Sequence, residues 1–303
     1  MPRLAALTRL ANDVMWQKKQ SLTDAPLVTL RELRTQDIAV LQRRWRNLAQ
    51  SAYLGGRTTL CRVMGRYKMY VASDDIGFGA HVVLDGYWES WLTQFMARLI
   101  QPGMYVADVG ANHGYYTLLM GDLVGAHGRV AAIEPHPVTA GHLANSIAVN
   151  GLQSRVELLQ VAVGEVSKDA QVFWMPDGEP KNGRLVDAPH AGRSDRASVD
   201  VRPMDVIFRQ WPRLDFVKMD VEGAEEEALL GARQTLARLK PTLLLEFNVG
   251  RTREPQALLN WLKGIYGPPQ IVETDGSIRF ASDPELLNPS HTEDWMLYFA
   301  RPR

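Results

Sequence analysis

The sequence predicts an α/β fold built on a mostly parallel sheet, with a helical extension at the N-terminus. Three observations support this prediction. From residue 104 onward, short apolar runs alternate with segments long enough to form helices. The balance of 46% hydrophobic and 22% charged residues in a chain of 303 is that of a globular protein. The single cysteine, Cys61, excludes an internal disulfide framework and argues against a cysteine zinc site.

Residues 1–52 are the predicted helical extension, and residues 53–303 are the predicted main domain. Apolar residues recur every three or four positions from Leu4 to Val14 and again from Leu30 to Leu48, so each helix has a face to bury. Either residues 1–50 pair two chains through a short coiled coil, which would make a homodimer, or they pack as a helical layer on their own domain. The sequence leaves both alternatives open.

The other elements follow in chain order. Residues 59–73 are predicted to be extended with a turn at Gly65-Arg66, and a helix over 88–100 ends at Pro102-Gly103. The later predicted strands are 104–109, 129–133, 156–161, 170–174, 198–201, 214–219, 242–247, 270–273, 278–281 and 295–300. The predicted helices between them are 114–124, 139–150, 224–239 and 255–262. Asp275-Gly276 between extended runs predicts an antiparallel C-terminal hairpin.

Charge and hydropathy limit the partners of this chain. Lys and Arg total 34, as do Asp and Glu, so the net charge is zero and gives no general attraction to nucleic acid or anionic membranes. No apolar run approaches the roughly 18 residues of a membrane helix, and no signal-peptide core follows Arg9. We therefore expect a cytoplasmic protein without a membrane span.

The end of the first strand of the alternating region carries the most informative motif. Residues 106–117 read Val-Ala-Asp-Val-Gly-Ala-Asn-His-Gly-Tyr-Tyr-Thr. Gly110 allows a tight turn, and free N–H groups at the following helix start favour a polar or anionic group. Asn112 and Tyr115 occupy the second and third glycine positions of a dinucleotide fingerprint, so NAD is disfavoured. No Gly-Lys-Ser/Thr follows, which excludes a P-loop.

The next strand ends at Glu134-Pro135. Ligands of parallel sheets bind beyond the carboxyl ends of the strands, where a carboxylate can accept both hydroxyls of a ribose. Asp108 and Glu134 provide two acids at a site that lacks the glycines for binding a phosphate. Such a site suits a nucleoside that carries a cationic group, such as S-adenosylmethionine (SAM). The alternative is that Asp108 caps a turn and Glu134 faces solvent.

These motifs resemble those of the FkbM family, a branch of the class I SAM-dependent methyltransferases. The family's glycine loop, second-strand acid with proline, Lys-hydrophobic-Asp-x-Glu-Gly-x-Glu segment and fifth strand match residues 108–117, 134–135, 218–225 and 241–246. The likeness covers roughly residues 88–250. It implies a Rossmann-like fold with a seven-stranded sheet, and SAM-dependent O-methylation of a sugar, glycolipid or secondary metabolite.

The resemblance also implies a set of cofactor contacts. They are Glu89, Asp108, Gly110, Asn112, Gly114, Tyr116 and Glu134, to which we add Thr117, Pro135, Ala162 and Asp220. Of the adjacent tyrosines, one is expected to face the sulfonium and the other to pack against the sheet. His113 stands at a variable position of the family and inherits no role.

Asp220, at the end of the fourth strand, is the first candidate for orienting the acceptor or removing its proton. Glu222 is the second catalytic candidate, or else a helix cap. Lys218 is expected to pair with Asp220 or Glu246. The three carboxylates also have the ligand type of a magnesium site, but the family does not in general require a metal, and we predict none.

Residues 176–197 are rich in Pro, Gly, Asp and Arg, which indicates a lid over the acceptor or a solvated loop. Within them, Arg184, Arg193 and Arg196 are candidates for contacting an acidic acceptor.

Two other functions compete with a small-molecule or glycan O-methyltransferase. One is a catalytically idle SAM-binding module that assembles through residues 1–50, and the other is a nucleic-acid methyltransferase. The intact set of Asp108, Glu134 and Asp220 favours an enzyme. The zero net charge and the lack of an Asn/Asp-Pro-Pro-Tyr/Phe motif argue against a nucleic-acid substrate.

Overall fold

The computed structural model describes residues 26–176, 183–186 and 194–302. The helices of this part are α1 (Leu30–Thr35), α2 (Ile38–Leu48), α3 (Phe78–Asp85), α4 (Ser90–Leu99), α5 (Tyr115–Leu123), α6 (Pro137–Val149), α7 (Met204–Ile207), α8 (Glu225–Leu230), α9 (Arg233–Leu239), α10 (Pro255–Tyr266) and α11 (Asp283–Leu286). The strands are β1 (Ser51–Gly55), β2 (Thr58–Val63), β3 (Tyr67–Ala72), β4 (Tyr105–Val109), β5 (Arg129–Ile133), β6 (Val156–Leu159), β7 (Ala162–Val163), β8 (Lys168–Pro176), β9 (Arg184–Leu185), β10 (Ser194–Arg202), β11 (Phe216–Met219), β12 (Thr242–Phe247), β13 (Gln270–Val272), β14 (Ile278–Phe280) and β15 (Trp295–Phe299).

A large sheet with the strand order β14-β13-β15-β12-β11-β4-β5-β6 forms the centre of the protein. The pairs from β6 to β12 are all parallel, while β15 runs antiparallel to both β12 and β13, and β14 runs antiparallel to β13. The mostly parallel α/β fold and the C-terminal hairpin are confirmed. The sheet has eight strands instead of seven, because the strand after Asp275-Gly276 adds to its edge.

Both faces of the large sheet are buried. In β4, Val106 lies in the core on one face, and Ala107 and Val109 lie in the core on the other. This follows from the strand geometry, in which successive side chains point to opposite faces. Burial on both faces requires apolar residues at every strand position, which is why these strands were recognisable as unbroken apolar runs.

Helices α1 and α2 pack against the main domain. Their buried side chains are Leu33, Leu41, Trp45 and Leu48, which belong to the same core cluster as Leu92 and Met96 of α4. Asp37, between the two helices, accepts hydrogen bonds from the first N–H groups of α2 and so separates them. Of the two alternatives for the extension, residues 30–48 form the helical layer on their own domain. Residues 1–25, with the predicted helix over 4–14, lie outside the described residues.

Two smaller sheets complete the described fold. The predicted hairpin at Gly65-Arg66 joins β2 and β3, and β1 pairs with β2. The second small sheet has the order β7-β10-β8-β9, in which β8 and β10 extend the predicted strands at 170–174 and 198–201. Part of the segment 176–197 is therefore regular strand rather than loop, since residues 184–185 pair with β8. The rest of that segment, 177–182 and 187–193, lies outside the described part.

One predicted helix is wrong in its continuity, and three helices, α3 and the short α7 and α11, were missed. Residues 224–239 form α8 and α9, because the chain breaks at Gly231. A Cβ atom on Gly231 would lie 2.0 Å from the carbonyl oxygen of Gly164, so the backbones meet there and the helix ends. Helix α3 was missed because Gly77, Gly79 and Gly86 surround its apolar residues. No helix in the described ranges is both long and apolar enough to cross a membrane.

We predict that Trp45→Ala lowers the free energy of unfolding of the whole domain by about 3–5 kcal/mol, because Trp45 is fully buried in the shared core. Urea unfolding followed by circular dichroism measures this. Arg43→Ala, on the exposed side of the same helix, is the control and should change the midpoint little. A main transition that stays unchanged in Trp45→Ala would mean that α2 is an independent appendage.

Candidate active site

A cavity of about 430 Å³ lies at the carboxyl ends of β4, β5, β11 and β12. Nine residues predicted for the site line it: Glu89, Gly110, Asn112, Tyr116, Glu134, Pro135, Ala162, Asp220 and Glu222. Three others, Asp108, Gly114 and Thr117, are absent from its described lining. Arg184, a candidate for acceptor contact, also lines the cavity, and its guanidinium carbon stands 5.3 Å from the centre of the Trp174 ring.

Gly110 joins three strand ends at the cavity floor. The N–H groups of Gly110 and Ala111 donate to the carbonyl oxygen of Ile133 at 3.0 and 2.9 Å, which connects the ends of β4 and β5. Gly110 has φ +82°, and a Cβ atom there would lie 1.8 Å from the carbonyl oxygen of Asp220, just beyond β11. Only glycine permits both this conformation and this approach.

Asp108 lies behind the cavity wall and stabilises the loop from beneath. Its Oδ2 accepts a hydrogen bond of 2.5 Å from Oγ1 of Thr117, in the first turn of α5. Burial raises the pKa of Asp108 to about 6, although the nearby Lys218 ammonium opposes this. At Gly114, a Cβ atom would come within 2.4 Å of Leu143, so this glycine lets α5 pack on α6. Direct ligand contact was expected for Asp108, Gly114 and Thr117, but their positions fit a supporting role.

Glu134 is buried in the cavity wall, with 7% of its surface exposed, so the alternative of a solvent-facing side chain is wrong. Its Oε2 accepts the N–H of Asn112 and its Oε1 accepts the N–H of His136, both at 2.9 Å. Burial raises the pKa of Glu134 to about 7, and the two backbone bonds oppose this shift. Each carboxylate oxygen keeps a second lone pair for a ligand.

A polar chain crosses the cavity from Glu89 to Asp220. Tyr116 donates its hydroxyl hydrogen to Oε2 of Glu89 at 2.5 Å, and Nζ of Lys218 lies 4.9 Å from the centre of the Tyr116 ring. Lys218 donates to Oδ2 of Asp220 at 2.9 Å, as one of its two predicted pairings. Burial disfavours its charge, but the carboxylates of Asp220 and Asp108 outweigh burial and raise the pKa of Lys218. Tyr115 also lines the cavity.

Arg251 organises the acidic side of the cavity. Its guanidinium donates to Oε2 of Glu222 at 3.1 Å and to Oε2 of Glu246 at 3.0 Å, and it also bonds Asp294. Burial first, and then the neighbouring carboxylates, raise the pKa of Glu246 well above its usual value. Sequence reasoning missed Arg251 and Asp294, because both lie in loops without a motif.

The helix-cap alternative for Glu222 does not agree with the structure. The carboxylate that accepts backbone N–H groups before α8 belongs to Glu225, which bonds Val221 at 2.8 Å and Gly223 at 3.0 Å. Glu222 instead has φ +55° and points its carboxylate to Arg251. Among the described residues, no group of three or more His, Cys, Asp or Glu has the arrangement of a metal site.

Comparison with known proteins gives a consistent result. The model of the methyltransferase FkbM domain family matches residues 108–269, a little over half of the chain. Methyltransferase sdnD of Sordaria araneosa is 24% identical over 170 residues, which are 47% of this chain and 65% of that protein. The chain thus spans slightly less than two thirds of this relative.

Two solved structures are similar over part of the chain. Methyltransferase FkbM of Methylobacillus flagellatus KT has 21% identity and a TM-score of 0.42, over 69% of this chain and 53% of that one. The O-methyltransferase TomG of Streptomyces achromogenes, solved in complex with SAM, has 15% identity and a TM-score of 0.40, over 70% of this chain and 79% of that one.

The raised pKa of Glu134 predicts a pH dependence of stability. In the unfolded chain a glutamate loses its proton near pH 4.5, but in the folded protein Glu134 keeps it to about pH 7. The folded state therefore binds more protons between these values, and the free energy of unfolding falls by up to about 3 kcal/mol as pH rises from 4.5 to 7. Glu134→Gln should remove this part of the fall.

Urea unfolding at several pH values between 4.5 and 7.5 measures the effect. The exposed Glu165 supplies the control, and Glu165→Gln should keep the pH dependence of the wild type. The same decline in wild type and Glu134→Gln would contradict the prediction.

Proposed function

The chain belongs to the FkbM family of SAM-dependent methyltransferases, and we propose from this premise that it transfers a methyl group from SAM to a hydroxyl group. The proposed acceptor is a sugar, a glycolipid or another small molecule. One observation carries the proposal: a single cavity is lined both by the glycine loop with Glu134 and by Asp220 with its Lys218 partner. The first set suits a nucleoside, and the second suits an acceptor that loses a proton.

The residues present fit SAM on two counts. Both oxygens of Glu134 are fixed by backbone N–H groups, and this residue lines the cavity, an arrangement that suits two ribose hydroxyls. Gly110 and Ala111 form a floor without large side chains, which admits a ligand close to the backbone. Glu89, Asn112 and Ala162 complete the proposed contacts.

The charge of the cavity favours a cation over a phosphate. Seven carboxylates line its described part: Glu89, Glu134, Asp220, Glu222, Glu246, Glu293 and Asp294. Three cations line it: Arg184, Lys218 and Arg251. Glu134 and Glu246 have raised pKa values, but without them five carboxylates still outnumber the three cations. An excess of negative charge around a confined space attracts a sulfonium and repels a pyrophosphate. This supports SAM and argues against a dinucleotide.

When bound, SAM supplies a methyl group that its sulfonium has already activated for displacement. The remaining task of the protein is alignment and proton removal. A fixed loop, held by the Gly110 contact and the Asp108–Thr117 bond, orients the donor side. Good alignment of two reacting groups is worth up to about 7–11 kcal/mol of the barrier. The burial of Tyr115 and Tyr116 keeps water from this side of the cavity.

Asp220 is the proposed acceptor of the hydroxyl proton. Its Oδ2 is occupied by Lys218, while its Oδ1 receives no hydrogen bond from any described residue, and 26% of the side chain is exposed. As the acceptor oxygen attacks, its proton passes to this Oδ1. Glu222, held by Arg251 on the same side, is proposed to orient the acceptor through its hydroxyl groups.

SAM binding tests the donor half of the proposal. We expect calorimetry to detect SAM binding by the wild type and to find the dissociation constant raised about tenfold or more in Glu134→Gln, which loses hydrogen bonds to a carboxylate. Glu165→Gln, an exposed change of the same chemistry, should bind like the wild type. Absence of binding by the wild type would refute the assignment of SAM.

Turnover tests the acceptor half. We expect Asp220→Asn to lower the rate of S-adenosylhomocysteine formation by roughly 100- to 10,000-fold with an acceptor that the wild type methylates, because it removes the proton acceptor. The SAM dissociation constant should change much less. A panel of monosaccharides, glycolipids and phenolic metabolites, screened with the wild type, identifies the acceptor.

The same measurements separate the enzyme from its competitor. SAM binding without turnover on any hydroxyl acceptor would favour the catalytically idle module. Full turnover in Asp220→Asn would contradict the role given to this carboxylate but would leave the methyltransferase activity intact.

A further inference from the structure

Residues 75–89, here called the roof, form part of the wall of the cavity. They contain α3, and three of their side chains line the cavity: Phe78, Trp88 and Glu89. Phe78 contacts Trp88 edge to face, with ring centres 5.5 Å apart. The position of the roof therefore sets the shape of the proposed cofactor cavity.

A buried polar pair, which the proposed chemistry does not use, lies between the roof and the glycine loop. Asp75 begins the roof, and His113 belongs to the glycine loop, directly after Asn112. Their side chains are 0% and 1% exposed, and Nε2 of His113 lies 3.7 Å from Oδ2 of Asp75. Phe78 stacks over the His113 ring at 6.0 Å.

Each member of this pair has unused hydrogen-bonding capacity. Oδ1 of Asp75 accepts the N–H of Gly77 at 3.1 Å, but Oδ2 has no hydrogen-bond partner in the described structure. Neither ring nitrogen of His113 forms a hydrogen bond with a described residue. Buried polar groups without partners are costly and rare in folded proteins, so this pair gains stability from any movement that brings the two atoms together.

Each group has the other as its nearest oppositely charged neighbour, and a second histidine, His142, lies beside them. The neighbouring His142 ring is 5.2 Å from His113, and its Nε2 lies 3.3 Å from Oγ1 of Thr58. Burial lowers the pKa of His142 to about 4, so that it is uncharged at neutral pH. The gap of 3.7 Å between His113 and Asp75 is too short for a bridging water, and a shift of less than ~1 Å makes a direct hydrogen bond.

We propose that His113 and Asp75 are positioning residues for the cofactor: the hydrogen bond between them forms when the roof closes over bound SAM. The bond would couple the glycine loop, whose Asn112 lines the cavity, to the roof, whose Phe78, Trp88 and Glu89 also line it. Neither residue contacts the cofactor. This inference rests on the proposed function, because SAM is the ligand over which the roof closes.

Calorimetry of SAM binding to the full chain tests the proposal through His113. His113→Phe keeps the ring but removes the donor, and should raise the dissociation constant about tenfold or more. His113→Gln keeps an N–H near the Nε2 position, and should bind within about threefold of the wild type. A purely structural role for the buried ring would give no such rescue by glutamine.

Variants of Asp75 provide a second test by the same measurement. Asp75→Asn keeps the acceptor for Gly77 but places an amide NH2 where Oδ2 would accept, so it should raise the dissociation constant about tenfold or more. Adding it to His113→Phe should raise the constant little further, because the bond is already lost. Leu286→Ala, in the core cluster on the other face of the sheet, is the control for lost stability and should leave the dissociation constant unchanged.

Each outcome is decisive. SAM binding by the wild type with equal affinity in His113→Phe would overturn this inference and leave the proposed function standing. No binding by the wild type would overturn both. If His113→Phe does not fold, hydrogen exchange of the wild type decides: SAM should slow exchange at residues 78–85 about tenfold or more, and unchanged exchange there would overturn the proposal.

Discussion

The close approach of Gly110 to the backbone of Asp220 is the constraint on which the rest of the site depends. It brings the ends of β4 and β11 to within van der Waals contact, at a distance that no side chain on residue 110 would permit. The same loop bonds the end of β5 through Ile133. Three strand ends are thereby fixed relative to one another, and the two proposed functional carboxylates, Glu134 and Asp220, line one cavity.

Three of the acidic groups that line the cavity each have a specific partner that offsets the cost of their burial. Glu134 receives two backbone N–H groups, Asp220 receives the ammonium of Lys218, and Glu246 shares the guanidinium of Arg251. These partners hold the carboxylates in fixed directions, which costs little reorganisation when a ligand binds. The partners that offset the cost of burying these carboxylates therefore also fix the arrangement of polar groups in the cavity.

Local patterns were sufficient for the sheet and for the donor half of the site. Strands buried on both faces are unbroken apolar runs, and the glycine loop with Glu134 is a short motif whose parts are close in sequence. The acceptor side was harder to predict. Arg251 and Asp294 are distant from Asp220 in sequence, and the three line the same cavity only in the folded protein. The burial of Asp108 behind the cavity could not be predicted either, because the depth of a side chain below a surface is a tertiary property.

The buried helical layer changes how the limits of this protein should be understood. The segment that resembles its relatives begins at residue 108, yet Trp45 and Leu33 share a core with residues of α4 and α5. The segment that matches the family model is therefore smaller than the unit that folds. Removing helices α1 and α2 would expose apolar side chains of α4 that they cover, so a fragment cut to the family match would lack part of its own core.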